Sequence, residues 1–199
     1  PRSRSRCRPA DALVAGAVRH LERDLGRTFE DGYRSEVLPQ LPYWMQAVAG
    51  SLEAGLMLFV DYGYVRREFY LPERSEGTLM AHYRHRAHAD PFFLPGLNDL
   101  TASVDFTALA EAGNSAGFAV AAYLPQAPFL VGAGLQEAFE SAYQAAADEA
   151  ERYRLSQQVK KLMLPEQMGE RFQAMLFARG MDALPLPSAL LDADQGRRL

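Results

Sequence analysis

Residues 55–64 read Gly-Leu-Met-Leu-Phe-Val-Asp-Tyr-Gly-Tyr, and this stretch decides the fold. The apolar run at residues 56–60 is typical of a parallel β-strand that is buried on both faces of a sheet. Asp61 directly follows the run, and a charged residue at the carboxyl end of such a strand lies in the crevice where open α/β sheets bind ligands. Asp61 is therefore a candidate site residue. An equally open interpretation is that Asp61 caps a turn with Gly63.

The segments around this strand alternate between helical and strand patterns. Apolar residues at steps of three and four, together with helix-forming composition, predict helices over residues 10–25, 43–52, 105–116 and 135–164. Asp105 is the expected N-cap of the third of these helices. Apolar runs predict two further strands, over residues 118–124 and 172–178. This order of elements predicts an α/β fold.

The composition excludes several classes of protein. The chain has 199 residues, 48% of them hydrophobic, and a formal net charge of −4, which is typical of a globular domain and argues against a general nucleic-acid binder. Its single cysteine, Cys7, cannot form an internal disulfide and suits a reducing compartment. The longest apolar run, residues 55–60, is far shorter than the roughly 20 residues of a membrane-spanning helix.

A long polar segment follows the first strand. Residues 65–104 show no clear periodicity, and we expect a structureless excursion with a functional role. The segment contains four side chains of types that bind zinc or iron: His82, His85, His88 and Asp90. On a strand, however, His85 faces away from the other two histidines, and the interleaved Arg84 repels a metal ion. Contact with an anion or a substrate, or a solvated structural role, is favoured over a metal site.

Gly132-Ala133-Gly134 superficially matches the start of a dinucleotide-binding fingerprint. Glu137 stands where the third glycine belongs, and its charge is unfavourable beside a pyrophosphate. A glycine pair that eases entry into a helix is the favoured interpretation. The sequence holds no Gly-x-Ser-x-Gly motif and Cys7 has no neighbouring histidine, which argues against covalent catalysis.

Five blocks of the sequence form a recognisable series. They are Phe-Val-Asp-Tyr-Gly-Tyr at 59–64, Gly-Thr-Leu-Met-Ala-His-Tyr-Arg-His-Arg at 77–86, Asp-Leu-Thr-Ala-Ser-Val-Asp-Phe at 99–106, Gln-Ala-Pro-Phe-Leu at 126–130 and Met-Gly-Glu-Arg-Phe at 168–172. The series resembles the MidA-like methyltransferase family, which includes the mitochondrial assembly factor for respiratory complex I, a protein arginine methyltransferase. The resemblance is continuous from residue 32 to residue 180, and the block at 99–106 is specific.

The resemblance implies an α/β fold, the C-terminal portion of a Rossmann-like class I methyltransferase sheet with helical insertions. In that fold residues 56–60 are the fifth strand, residues 118–124 the sixth and residues 172–178 the seventh. The family's glycine-rich loop, and the acidic residue that holds the cofactor ribose, lie upstream of anything in this sequence. We therefore expect the C-terminal part of a catalytic domain, which by itself binds S-adenosylmethionine weakly or not at all.

The expected division of the chain has three parts. Residues 1–31 are predicted to be a helical lead-in or insertion of the catalytic domain. Residues 32–180 are predicted to be the C-terminal part of the methyltransferase domain, and residues 181–199 a loose or peripheral tail.

The resemblance also implies S-adenosylmethionine as cofactor and a protein arginine as methyl acceptor. Because a guanidinium stays protonated near neutral pH, acidic side chains must hold it and accept a proton as the methyl transfers. The expected catalytic residues are Asp61 and Asp99. The expected cofactor contacts are Tyr62 and Gly63. The expected substrate contacts are Tyr64, Arg84, His85, His88 and Asp90.

The expected partner is a protein substrate with a target arginine, with a respiratory complex subunit as a candidate, and neither a metal nor nucleic acid is expected. The implied compartment is the cytoplasm in a bacterium or the mitochondrial matrix in a eukaryote. Two other functional classes stay open for this protein. One is a non-catalytic interaction module that retains the family's C-terminal half, and the other is a metal enzyme that uses the three histidines.

Overall fold

A computed structural model describes residues 8–84, 86–181 and 186–199. Eight α-helices are present in the described residues: α1 Ala12–Leu25, α2 Leu41–Ala49, α3 Arg66–Phe69, α4 Phe106–Ser115, α5 Gln126–Gly132, α6 Leu135–Ala145, α7 Glu149–Met163 and α8 Ser188–Asp192. A π-helical turn at Pro165–Gly169 and a 3₁₀ turn at Gly196–Arg198 complete the helical elements. None of the described helices is long and apolar enough to cross a membrane.

The main sheet has four strands: β1 Gly55–Tyr64, β5 Val104–Asp105, β6 Ala119–Pro125 and β7 Phe172–Arg179. Their spatial order is β5-β1-β7-β6, and β7 runs antiparallel to both of its neighbours. The predicted sixth and seventh strands are confirmed to within one residue at each end. The predicted α/β fold class is likewise confirmed.

The two faces of β1 have different environments. Met57 and Phe59 face the main core, where they pack with residues of α2 and α4 and with Phe177 of β7. On the other face the side chains of Leu56, Leu58 and Val60 are 42%, 47% and 40% exposed. The expectation that this strand is buried on both faces is therefore wrong for the described chain, because no described element covers its second face.

One edge of β1 is also open. Its only pairing on the side away from β7 is a short parallel one, in which Gly63 and Tyr64 face β5. In the described parts of the chain, no strand pairs with residues 55–62 on that side. The backbone groups along this edge are therefore available to a further strand.

The expected structureless excursion after β1 is corrected by the structure. Val65 precedes the short helix α3, and a small antiparallel sheet follows, formed by β2 Met80–Tyr83, β3 Arg86–His88 and β4 Asp99–Thr101. β2 lies between its two partners. The strands are only three or four residues long, which explains why no periodicity predicts them.

The N-cap of α4 is confirmed. The side chain of Asp105 accepts a hydrogen bond of 3.0 Å from the backbone N–H of Ala108. Behind the cap, Phe106 is fully buried and its ring lies 5.2 Å from that of Tyr123 in β6. Asp105 thus begins the helix that covers the core face of β1.

The glycine pair at Gly132 and Gly134 lies between two helices. The preceding apolar residues belong to α5, so they do not form the strand that a dinucleotide-binding fingerprint requires. Gly134 adopts a left-handed conformation, with φ of 90°, at the N-cap of α6. This geometry agrees with the favoured interpretation, in which the glycine pair eases entry into a helix.

The C-terminal segment is ordered against the sheet. Leu190 is buried with residues of β6 and β7, and Asp194 accepts a hydrogen bond of 2.7 Å from the backbone N–H of Tyr123. The backbone N–H of Gln195 donates to the carbonyl of Tyr123 at 2.6 Å. The described part of this tail, residues 186–199, is therefore not loose, whereas residues 182–185 lie outside the described residues.

Arg66, the first residue of α3, is the centre of a buried ion cluster. Its side chain is 2% exposed and lies 2.5 Å from a carboxylate oxygen of Glu111, 3.0 Å from Asp24 and 3.5 Å from Asp105. Its backbone N–H also donates to the hydroxyl of Thr107 at 3.0 Å. This one guanidinium therefore connects α1, β5 and α4.

The pKa shifts in this cluster have opposite directions. Burial disfavours the charged form of Glu111, but its hydrogen bond to Arg66 and the charge of that guanidinium prevail and lower its pKa. For Asp105 burial prevails and raises the pKa, despite the cap hydrogen bond and Arg66. The guanidinium thus has three carboxyl groups around it, those of Asp24, Asp105 and Glu111.

We expect Arg66→Met to lower the free energy of unfolding by about 3 kcal/mol at pH 7, the low end for breaking a buried ion pair, because it removes the partner of the nearly buried Asp105 whereas Asp24 and Glu111 are half-exposed. Burial raises the pKa of Asp105, and removal of Arg66, whose charge lowers it, raises that pKa further. The loss of stability should therefore shrink as the pH falls through this raised pKa and Asp105 becomes protonated. Urea unfolding at several pH values, followed by the fluorescence of Trp44, the only tryptophan, measures the loss of stability and its dependence on pH. The matched control is Arg67→Met, since Arg67 is exposed; an equal loss in the two variants would contradict the role of the cluster.

Candidate active site

A cleft of about 1270 Å³ lies at the carboxyl end of β1. Its floor is the end of β1 together with the start of β7. One wall is formed by β2 and β4 of the small sheet, and the opposite wall by the start of α5 and the π-helical turn. Gln195 and Arg198 of the C-terminal segment also line it. This is the place at which open α/β sheets bind their ligands.

The cleft brings together four of the predicted site residues: Tyr62, Gly63, Tyr64 and Asp99. The first three are consecutive in β1, and Asp99 is the first residue of β4. In the small sheet Asp99 is directly paired with His82 of β2, which also lines the cleft. The sequence spacing marked His82 only as one of three histidines, whereas the register places it beside an expected catalytic carboxylate.

Charged residues that no motif marked complete the lining of the cleft. The acidic ones are Glu68 and Glu170, and the basic ones are Arg74, Arg171 and Arg198. Arg198 pairs with Glu68, so the C-terminal turn is tied to α3 across the cleft. These residues come from segments far apart in the sequence, and no local pattern could predict that they meet.

The Tyr64 ring already has a cationic partner. The guanidinium of Arg74 lies over this ring, 4.0 Å from its centroid. Tyr62 makes an edge contact with Phe172, with ring centroids 5.6 Å apart. The predicted substrate contact at Tyr64 therefore competes with Arg74 for the face of this ring.

Asp61 lies outside this cleft. It is inside strand β1, paired with Gln173 of β7, and its carboxylate accepts a hydrogen bond of 2.8 Å from the backbone N–H of Tyr62. The alternative that Asp61 caps a turn with Gly63 is wrong, because both residues are in the strand. Asp61 lines a second cavity of about 1080 Å³, which lies between β1 and the helices α1, α2 and α4.

Three of the other predicted substrate contacts are described, and none of them lines the cleft. Asp90 is exposed and accepts a hydrogen bond of 3.0 Å from the backbone N–H of Phe92, which stabilises its own loop. Arg84 lies over the ring of Tyr83, 5.4 Å from its centroid. The ring of His88 packs edge-on against Phe93. His85 lies outside the described residues.

The histidine spacing does not form a metal site in the described residues. His82 faces Ala87 in the β2–β3 register, and His88 faces Ala81. Because adjacent positions in a strand point to opposite faces, the two histidines lie on opposite faces of the small sheet. No group of three or more histidine, cysteine, aspartate or glutamate side chains within residues 8–84, 86–181 and 186–199 could hold a metal ion.

Comparison with known proteins identifies the family. Residues 6–124 match the family model described as "Putative S-adenosyl-L-methionine-dependent methyltransferase". This chain belongs to that family. The predicted cofactor is confirmed at the level of the family, whose description names it. No curated protein matches the chain.

Two solved structures from Burkholderia thailandensis are similar to this methyltransferase-family chain. One is a superfamily member bound to S-adenosyl-homocysteine, and the other is a high-resolution native structure from the same superfamily. Each is 37% identical, with a TM-score of 0.77 over 85% of this chain. The chain spans only 43% and 44% of their lengths.

Gly63 has a packing reason to be glycine. A Cβ atom at this position would overlap the carbonyl oxygen of Val104 in β5 and would lie 2.8 Å from the ring of Phe106. The close approach of two backbones, rather than an open cradle for a ligand, explains the residue.

We expect Gly63→Ala to lower the free energy of unfolding by about 1–3 kcal/mol, because the added methyl group forces β1 and β5 apart. Urea unfolding measures this loss. The control is Gly16→Ala in α1, where the nearest atom to an added Cβ is an arginine side-chain nitrogen 4.0 Å away; this change should stabilise the helix slightly. An unchanged stability of Gly63→Ala would show that the strands can separate at no cost.

Proposed function

We propose that this chain contributes the acceptor side of the catalytic domain of a class I S-adenosylmethionine-dependent methyltransferase. The observation that carries the proposal is the cleft at the carboxyl end of β1, in a sheet whose last strand, β7, lies antiparallel between β1 and β6. The family match and the similar structure bound to S-adenosyl-homocysteine support the same cofactor for this chain.

The described residues do not fit the whole cofactor. A cofactor of this kind needs backbone amides at a tight glycine turn and a carboxylate for its ribose. Gly63, the glycine at the cleft, is held against Val104 inside the sheet and offers no open turn. We infer that polypeptide corresponding to the unmatched part of the Burkholderia proteins supplies those groups, and that the chain alone binds the cofactor weakly or not at all.

The proposed methyl acceptor is an arginine side chain of a protein, and S-adenosylmethionine would supply the methyl group. Carboxylates bind a guanidinium through charge-assisted, often bidentate hydrogen bonds. Asp99 and Glu170 line the cleft, and neither has a salt-bridge partner among the described residues. The resemblance to the MidA-like family supports a respiratory complex subunit as substrate, in the bacterial cytoplasm or the mitochondrial matrix.

A second candidate function is a non-catalytic interaction module. The observation that favours it is the open edge of β1, which can pair with a strand of another polypeptide whether or not methyl transfer follows. The mixing experiment described next distinguishes this function from methyl transfer.

The test is to mix this chain with a polypeptide that comprises the part of the Burkholderia thailandensis protein that the chain does not match. We expect the mixture, and not the chain alone, to bind S-adenosyl-homocysteine in calorimetry and to methylate an arginine peptide. Association without methyl transfer would favour the interaction module. Micromolar binding by the chain alone would overturn the inference that residues outside this chain hold part of the cofactor.

Asp99 and Asp61 should have separable roles. We expect Asp99→Asn to weaken the binding of acetyl-Gly-Arg-Gly-amide to the chain about tenfold, since it removes a charged hydrogen-bond partner from the cleft. Asp61→Asn should leave this affinity unchanged, because Asp61 lines the second cavity and not the cleft. The catalytic role that the family resemblance implies for Asp61 predicts that the same variant lowers methyl transfer in the mixture. Fluorescence anisotropy of a labelled peptide and a methyl-transfer assay measure the two effects. Asp90→Asn, outside both cavities, is the matched control.

Equal peptide affinity in the Asp99→Asn variant and the wild-type chain would remove Asp99 from the acceptor site. A lysine peptide of the same length tests the preference for a guanidinium. If it binds as tightly as the arginine peptide, arginine is not the preferred acceptor.

A further inference from the structure

Among the described residues, Glu36 accepts more side-chain hydrogen bonds than any other carboxylate, and it lines the second cavity. It lies in the segment between α1 and α2, and the mechanism above does not use it. Its carboxylate accepts hydrogen bonds from the backbone N–H of Thr78 at 3.1 and 3.0 Å, from the Thr78 hydroxyl at 2.9 Å and from the backbone N–H of Leu79 at 3.0 Å. Hydrogen bonds to an ionised acceptor are stronger than neutral ones.

The backbone around Thr78 is shaped to receive this carboxylate. Gly77 has φ of 75°, and a Cβ atom there would overlap Glu36 Oε1 and lie 3.1 Å from Glu36 Cδ. The Tyr70 hydroxyl donates a hydrogen bond of 3.0 Å to the backbone carbonyl of Glu36. The backbone N–H of Arg34 donates one of 2.8 Å to the backbone carbonyl of Ser75. The backbone that carries Glu36 is therefore fixed as well as its carboxylate.

Thr78 extends the contact to the cleft. Its hydroxyl donates to Glu36 and accepts a hydrogen bond of 3.0 Å from the backbone N–H of Ser103. Thr78 lies shortly before β2 and Ser103 shortly after β4, and both residues line the cleft. Glu36 thus ties the start of β2 to the end of β4, in the strand pair in which His82 faces Asp99.

We propose that Glu36 is a positioning residue that holds the β2–β4 wall of the cleft and, through Thr78, sets the position of Asp99. The small sheet needs such an anchor, because its strands are three or four residues long and Leu79, Met80 and Leu100 are 37%, 37% and 52% exposed. Short strands with exposed apolar side chains have little packing to hold them in place. The effect of Glu36 on acceptor binding and methyl transfer rests on the proposed function. Its hold on the β2–β4 wall does not.

The structural part is tested by hydrogen–deuterium exchange of the backbone amides in this chain. We expect Glu36→Gln to speed the exchange of Thr78, Leu79 and Ser103 about tenfold, because an amide group offers one acceptor oxygen in place of two. Thr78→Val should speed the exchange of Ser103 while leaving the Glu36 side chain intact. Glu76→Gln is the matched control, since Glu76 lies in the same region with its side chain 79% exposed.

The functional part is tested by the affinity for acetyl-Gly-Arg-Gly-amide and by methyl transfer in the mixture with the Burkholderia polypeptide. We expect Glu36→Gln and Thr78→Val each to weaken peptide binding and raise KM several-fold with a smaller change in kcat, since the wall moves while the reacting groups remain. Glu36→Asp should restore part of the affinity because it restores the charge. Global stability in urea should stay close to that of the Glu76→Gln control.

Unchanged exchange at Ser103 in both Glu36→Gln and Thr78→Val would overturn the proposal. If one of the two variants unfolds, unchanged exchange in the other is sufficient to overturn it. Faster exchange with unchanged peptide affinity would also overturn it, because Glu36 would then be structural only. If the wild-type chain binds no arginine peptide and the mixture transfers no methyl group, the proposed function fails. The exchange data still decide whether Glu36 holds the wall.

Discussion

The buried guanidinium of Arg66 is the interaction on which the rest of the structure depends. Arg66 lies two residues after the end of β1 and contacts carboxylates from α1, from the end of β5 and from α4. A buried cation is tolerated only when it is paired and hydrogen-bonded, so these elements must come together around it. Asp105 belongs to this cluster and also caps α4, which covers the core face of β1. The position of the carboxyl end of β1, and with it the cleft, follows from this cluster.

The cleft combines a rigid floor with a lightly packed wall. Its floor is the end of β1 beside β7, where strand pairing extends over eight residue positions from Gly55 to Tyr62. Its wall is the small sheet, whose position depends on hydrogen bonds to Glu36 rather than on a core of its own. A wall that is held at one polar anchor can be adjusted without disturbing the main sheet. Specificity for an acceptor is more easily changed in such an element than in the floor.

The parts of the fold that the sequence predicts are those with strong local signals. The seventh strand, Phe172–Arg179, is a continuous apolar run, and the helix after Asp105 begins with an N-cap. The small sheet has neither signal, because strands of three or four residues show no periodicity. The pairing of Asp99 with His82 depends on register across the β2–β4 pair. The contact of Arg74 with Tyr64 depends on the path of the chain between them.

Local signals in the sequence predicted the class of fold, three strands of the main sheet and a methyltransferase family, because hydrophobic runs, caps and contiguous blocks are local properties of a chain. The tertiary structure alone decided which predicted site residues meet. Asp61 and Tyr62 are neighbours in sequence, yet they line different cavities, because adjacent residues of a strand point to opposite faces. Asp99 and Tyr64 are 35 positions apart and line the same cleft, because the small sheet folds back over the end of β1. Only packing between distant segments sets such distances.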